Sequence, residues 1–236
     1  MSDGRLSLSQ LIDLYGQRGF GAIAITDHLC EEQNWLGQAA RLLHKTLTQK
    51  TFAQYLENIS IEASRAWDEY RMIVIPGVEF TKNSTDPSQS AHFLALGISQ
   101  WISPDQSVEA VLKEIKNQGA VSVAAHPVST RQFEPQTFYL WDHRQDLHSL
   151  FDAWEVASGQ FLFEEVRDSG LPLLANSDLH HPRQINAWKT RLNCERHPEA
   201  VLEAICDQDV DFVLFKERKP LFEPLRSGAW SWLSTS

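Results

Sequence analysis

Gly21-Ala22-Ile23-Ala24-Ile25-Thr26 is an unbroken run of small and branched apolar residues, and it leads directly into Asp27-His28. A short run of this kind, bounded by glycine on one side and a polar pair on the other, reads as a strand buried on both faces. The same pattern returns along the chain at Met72–Pro76, His92–Leu96, Ala120–Ala125, Phe151–Val156, Leu171–Ala175 and Val210–Phe215. Helix signals lie between these runs. Leu8, Leu11, Ile12 and Tyr15 recur at helical spacing behind Ser7 as N-cap, with Gly19 as the stop. Ser103 and Pro104 open a second helix that carries Val108, Val111, Leu112 and Ile115 and ends at Gly119. A third covers Pro198–Cys206.

Strand and helix alternating at this density predict a parallel α/β architecture, either a barrel or an open sheet. Residues 1–236 read as one domain, without a linker rich in Pro, Gly or Ser and without a repeat. Residues 31–71 are long for one crossover and read as an inserted helical region with room for two helices. Residues 217–236, with Trp230 and Trp232, read as an appendage. The other tryptophans read as core or interface packing.

Composition narrows the partners. The 236 residues are 42% hydrophobic and 22% charged, as in an ordinary globular chain, and the formal charge is -10. That charge disfavours adhesion to long duplex nucleic acid or to an anionic membrane. A small phosphorylated substrate stays compatible, because a bound cation reverses the field of an acidic cluster. The three cysteines, Cys30, Cys194 and Cys206, form no CxxC pair, so neither a disulfide framework nor a thiolate zinc site is indicated. No apolar run approaches the roughly 20 residues of a spanning helix, and the first residues are polar. The expected compartment is the cytoplasm.

The histidines and carboxylates carry the functional signal through their positions. Asp27 and His28 follow one strand, Glu79 follows a second, His126 a third, and Asp178 and His180 a fourth; His92 instead begins its strand. In α/β barrels the loops after the strands converge on one face, where catalytic groups gather. Imidazole and carboxylate donors without thiolates suit zinc, manganese or iron. Such metals activate a water and neutralise a phosphoryl group during displacement. One such residue after one strand is ordinarily a cap or a surface group; four strand ends bearing them together point to a shared centre. Arg131, Arg183 and Lys189 come shortly after these segments and are candidate phosphate contacts. His44, His143, His148 and His197 have no such context and read as surface residues, and His181 stays ambiguous.

These pieces together resemble the PHP (polymerase and histidinol phosphatase) family, especially its stand-alone phosphoesterases. The matching segments are Ser2-Asp3-Gly4-Arg5-Leu6-Ser7, Ala22–His28, Pro76-Gly77-Val78-Glu79-Phe80, His92–Gly97, Ala125-His126-Pro127 and Ser177-Asp178-Leu179-His180, in family order. The resemblance implies a distorted seven-stranded parallel (β/α) barrel with two or three divalent ions of manganese, zinc or iron. It implies that Asp3, His28, Glu79, His92, His126, Asp178 and His180 bind metal, with Glu79 bridging and Asp27 supporting a ligand. It also implies hydrolysis of a phosphate ester by a metal-activated water, on a small phosphorylated molecule, a nucleotide or a short oligonucleotide. Histidinol phosphate is a narrower option within that class.

In one respect the sequence departs from the pattern. The family's H-x-H pair, which closes the first barrel strand ahead of Ser-Asp-Gly, has no counterpart here, because Met1 immediately precedes Ser2. The expected barrel therefore lacks its first strand. An open reading frame continuing upstream, or a truncation, is the expectation; the alternative is a catalytically impaired or noncatalytic module.

Overall fold

The computed structural model describes residues 4–33, 35–43, 45–128 and 137–217. Each apolar run singled out above forms a strand. The elements run α1 (Leu8–Gly16), β1 (Ala22–Cys30), α2 (Trp35–Leu42), α3 (Gln49–Tyr70), β2 (Ile73–Lys82), β3 (Ala91–Leu96), α4 (Val108–Asn117), β4 (Val121–Ala124), α5 (Tyr139–Asp142) and α6 (Arg144–Leu147). They continue with β5 (Ala153–Ser158), β6 (Phe161–Leu162), α7 (Glu164–Arg167), β7 (Leu173–Asn176), β8 (Trp188–Leu192), α8 (Pro198–Cys206) and β9 (Val210–Leu214). The inserted region holds two helices, α2 and α3.

Local chemistry sets the helix ends. Ser7 caps α1 through a reciprocal box: its hydroxyl accepts from the Gln10 N–H at 3.3 Å, and the Ser7 N–H donates to the Gln10 side chain at 3.0 Å. The α4 helix begins later than Ser103-Pro104 suggests, because Ser107 supplies the cap, with its hydroxyl 3.3 Å from the Ala110 nitrogen. Gly19 and Gly119 both take positive φ, 76° and 69°, just past helix ends, a conformation that costs glycine little. Among the described residues no helix is long and apolar enough to cross a membrane.

The expectation of a parallel barrel needs correction. The sheet has seven strands, but it is mixed and it is not closed. β1–β2, β4–β5 and β5–β7 pair in parallel, whereas β3 runs antiparallel to both β2 and β4, and β6 antiparallel to β5. The run Val210–Phe215 contributes β9 to a separate two-stranded sheet with β8. Chain economy explains β3. Residues 83–90 are too few for the crossover of a dozen or more that a parallel return needs, so the chain turns straight back.

Side-chain alternation then builds two layers. One sheet face buries Phe80, Phe93 and Trp154 against α1, α3 and α4. The opposite face buries Ile73, Ile75, Leu94, Leu96, Val121, Val123, Ala153 and Leu174, sealed by Val201 and Ile205 of α8. Removing one of these larger side chains to alanine should cost ~2–5 kcal/mol.

Candidate metal centre

The face sealed by α8 also carries the polar cluster. Successive residues in a strand point to opposite sides, so positions two apart share a face. From Ile73 and Ile75 on β2, the same face continues through Gly77 to Glu79 and Thr81. From Leu94 and Leu96 on β3, it runs back to His92. On β5 it runs from Ala153 to Glu155. Register brings these together: His28 lies opposite Glu79 across β1–β2, and His92 opposite Thr81 across β2–β3. Because β3 is reversed, its first residues sit beside the carboxyl ends of β2 and β4. A histidine that begins its strand therefore joins ligand-type residues that end theirs.

Glu79 is the hub. One carboxylate oxygen lies 3.0 Å from His92 Nδ1 and 3.5 Å from His126 Nε2, and the other lies 3.6 Å from His28 Nδ1. Glu79, His92 and His126 are all buried, and each offers a ligand atom within 4.8 Å of the others. The imidazoles are also held by neighbouring polar groups. His92 Nε2 meets Asn83 Oδ1 at 2.9 Å, His126 Nδ1 meets Thr137 Oγ1 at 3.2 Å, and His28 Nδ1 meets Thr81 Oγ1 at 2.9 Å. Such outer contacts fix ring orientation, as partners of metal-binding histidines commonly do.

Backbone strain marks the same place. His126 and Asp178 adopt φ of 29° and 47°, a region that non-glycine residues seldom occupy and that clusters at functional sites. Glu155 holds the first of them: its carboxylate accepts the His126 backbone N–H at 2.6 Å and the Asn176 amide at 2.6 Å. Asp178 and His180 form the adjoining wall, with His180 Nδ1 3.4 Å from Asp178 Oδ1 and its ring 6.0 Å from that of His28. A cavity of about 260 Å³ lies against these groups, bordered by Asp27, His28, Glu79, His126, Glu155, Asp178 and His180.

The electrostatics follow from burial and proximity. Burial alone would raise the Glu79 pKa, but the His28, His126 and His92 imidazoles override it and hold the carboxyl well below the usual range. Burial pushes His126 down, yet the hydrogen bond and charge of Glu79 carry it up to about 9. His92 goes the other way, lowered by burial and by its cationic neighbours. Burial lifts Glu155 to about 7 against the pull of His126 and Asn176. The cluster thus demands positive charge beside Glu79 and meets that demand with a proton on His126. A divalent cation on the same donors would satisfy it equally, at the expense of that proton. The donor set therefore fits a metal ion.

Of the residues marked in the sequence, His28, Glu79, His126, Asp178 and His180 border one cavity, and His92 joins them behind Glu79, 3.0 Å from its carboxylate. Asp27 borders it as well, and its backbone N–H donates to Tyr55 Oη at 3.3 Å. Arg183 is exposed and does not border the cavity. His181 caps the short turn after it, accepting from the Arg183 N–H at 3.2 Å. His143, His148 and His197 are exposed; Asp3, His44 and Arg131 lie outside the described residues. Sequence reasoning passed over Glu155, Thr81 and Thr137. A lone carboxylate inside the apolar run FDAWEV was the available signal for Glu155, since a charge there must find partners.

No protein-family model matches the chain, and no curated protein matches its sequence. The fold is similar to that of a two-domain protein from Bacteroides vulgatus containing a predicted PHP-like metal-dependent phosphoesterase. The two are 20% identical with a TM-score of 0.66, over 90% of this chain and 61% of that one. The chain thus spans about three fifths of that protein's length. An amidohydrolase from Chromobacterium violaceum, solved with bound sulfate and no metal, is 17% identical with a TM-score of 0.50, over 77% of this chain and 84% of that one. A proposed metal-dependent phosphoesterase from Bifidobacterium adolescentis is 16% identical with a TM-score of 0.46, over 76% and 84% of the two chains. The structural neighbourhood of this chain is that of PHP-like metal-dependent phosphoesterases, and at these identities the kinship is one of fold.

Proposed function

We propose that the chain hydrolyses a phosphate ester of a small phosphorylated molecule, nucleotide or short oligonucleotide with the aid of divalent metal ions. The observation that carries this reading is the buried Glu79–His92–His126 group, brought together from β2, β3 and the turn after β4, with Glu79 and His126 bordering a cavity. A divalent ion there supplies Lewis acidity to a phosphoryl oxygen and lowers the pKa of water. Glu79, His92 and His126 would hold one ion, and His28, Asp178 and His180 are the donors available to a second. Thr137 and Asn83 orient the imidazoles, and Glu155 fixes the strained His126 backbone. Ile75, Leu94 and Leu96 line the inner wall and limit water, which strengthens every charge interaction beside them. The charge of -10 favours small substrates over long duplexes.

The test is elemental analysis of protein purified without chelator, followed by p-nitrophenyl phosphate hydrolysis with added manganese. Bound transition metal with turnover is the expected result, lost in His126→Ala. Less than one equivalent of metal, and no hydrolysis, would end this reading. A second reading, a noncatalytic metal-binding module, draws on one observation: among the described residues, mutual reach is limited to three donors. It predicts metal uptake with no turnover of any monoester.

A further inference from the structure

The cavity continues beyond the histidine cluster to a lysine that the proposed reaction leaves unused. Lys189 on β8 is buried, and its ammonium donates to the backbone carbonyls of Ile185 at 3.0 Å and Ala187 at 3.5 Å. The Tyr15 and Phe20 rings lie 5.9 Å and 5.8 Å from it, edging the same cavity. Among the described residues no carboxylate pairs with it. Lys82 shows the contrast: it is equally buried, but it meets Glu31 at 2.8 Å as well as two backbone carbonyls. An ammonium withdrawn from water without a counter-charge is costly, and burial alone lowers the Lys189 pKa to about 8.

The route from this lysine to the cluster is short and continuous. Tyr15, under the ammonium, hydrogen-bonds Ser177 Oγ at 2.7 Å, and Ser177 adjoins Asp178. Tyr15, Ser177, Asp178, His180 and Lys189 all border the one cavity, whose about 260 Å³ suits a small molecule. Apolar walls from Leu11, Phe20 and Leu192 would strengthen any ion pair formed there.

We propose that Lys189 seats a second anionic group of the substrate, so that the ester cleaved at the histidine cluster bears another oxyanion, a carboxylate or a further phosphate, on its alcohol portion. That the substrate is an ester rests on the phosphoesterase reading; the anion seat does not.

Binding to chelator-treated full-length protein separates the two. Melting is followed at pH 7 against malonate and against inorganic phosphate, for wild type, Lys189→Met, Lys189→Arg and His126→Ala. The expected result is stabilisation of wild type, Lys189→Arg and His126→Ala by at least one anion. Lys189→Met should bind that anion ~10- to 100-fold more weakly, as loss of a hydrogen bond to a charged group implies. The anion with the larger shift identifies the oxyanion class. Lys189→Gln, which can still donate to Ile185 and Ala187, repeats the test should the methionine variant not fold. The inference is overturned if neither anion shifts wild type, if the uncharged variants respond like wild type, or if only His126→Ala loses the response. No metal or turnover enters this assay, so failed hydrolysis would leave its outcome standing.

Discussion

Replacing Glu79 by glutamine in chelator-treated protein should flatten the fall of stability with rising pH. His126 has a folded pKa of about 9, against an ordinary value of 6.5, and the Glu79 carboxylate is what raises it over the opposing effect of burial. A folded pKa above the unfolded one contributes stability that is fully present below pH 6.5 and is lost as pH climbs through 9. At about 1.4 kcal/mol per unit the full contribution is ~3 kcal/mol, most of which remains at pH 7. The depressed pKa of Glu79 is the same interaction seen from the other partner, so it is counted once. Neighbouring titrations leave a clear window. Glu155, raised to about 7, removes stability mostly below pH 7, and Lys189, lowered to about 8, restores it mostly above pH 8. Between pH 7 and 8, wild type should therefore lose about 1 kcal/mol in urea unfolding. Glu79→Gln should start ~2–3 kcal/mol lower at pH 7 and lose almost nothing over the same interval. Parallel slopes for the two proteins would show that Glu79 does not hold the His126 proton, and the electrostatic account of the cluster would fail.

Other outcomes follow from the same geometry. Metal at a hundredfold excess over its dissociation constant should stabilise the chain by ~2.7 kcal/mol, raising the melting temperature by roughly 5–11 °C, and His92→Ala should abolish the shift in calorimetry. Metal binding at pH 7 should release about one proton, read by titration calorimetry in buffers of differing ionisation enthalpy, because His126 must give up its proton to coordinate. Glu155→Ala frees the strained His126 backbone and should weaken metal binding ~10- to 100-fold with the chain still folded; unchanged affinity would dismiss the positioning role. Gly77→Ala should destabilise by ~1–3 kcal/mol, since a Cβ there would stand 2.7 Å from the Ala95 carbonyl oxygen and 3.0 Å from Thr26 Cγ2.

Strand positions were legible because burial on both faces imposes continuous apolar runs, and α1 was legible because its cap is local chemistry. Strand direction was not, since Ala91–Leu96 reads the same in either sense. The odd placement of His92 at a strand start was the visible trace of reversal, and residues 83–90 were too short a link for a crossover. Val210–Phe215 was likewise correct as a strand and misplaced in the sheet, because periodicity names a buried face without naming the neighbour.

The chain's residues alone determined which side chains have metal-ligand chemistry and that they sit near the ends of apolar runs, because both facts are written in types and spacing. Only the folded arrangement decided that Glu79 stands between three imidazoles, that Glu155 braces His126, and that Lys189 is buried with no carboxylate partner among the described residues. Those are distances between residues far apart in sequence, set by sheet register and by the reversal of β3, and no local pattern encodes them.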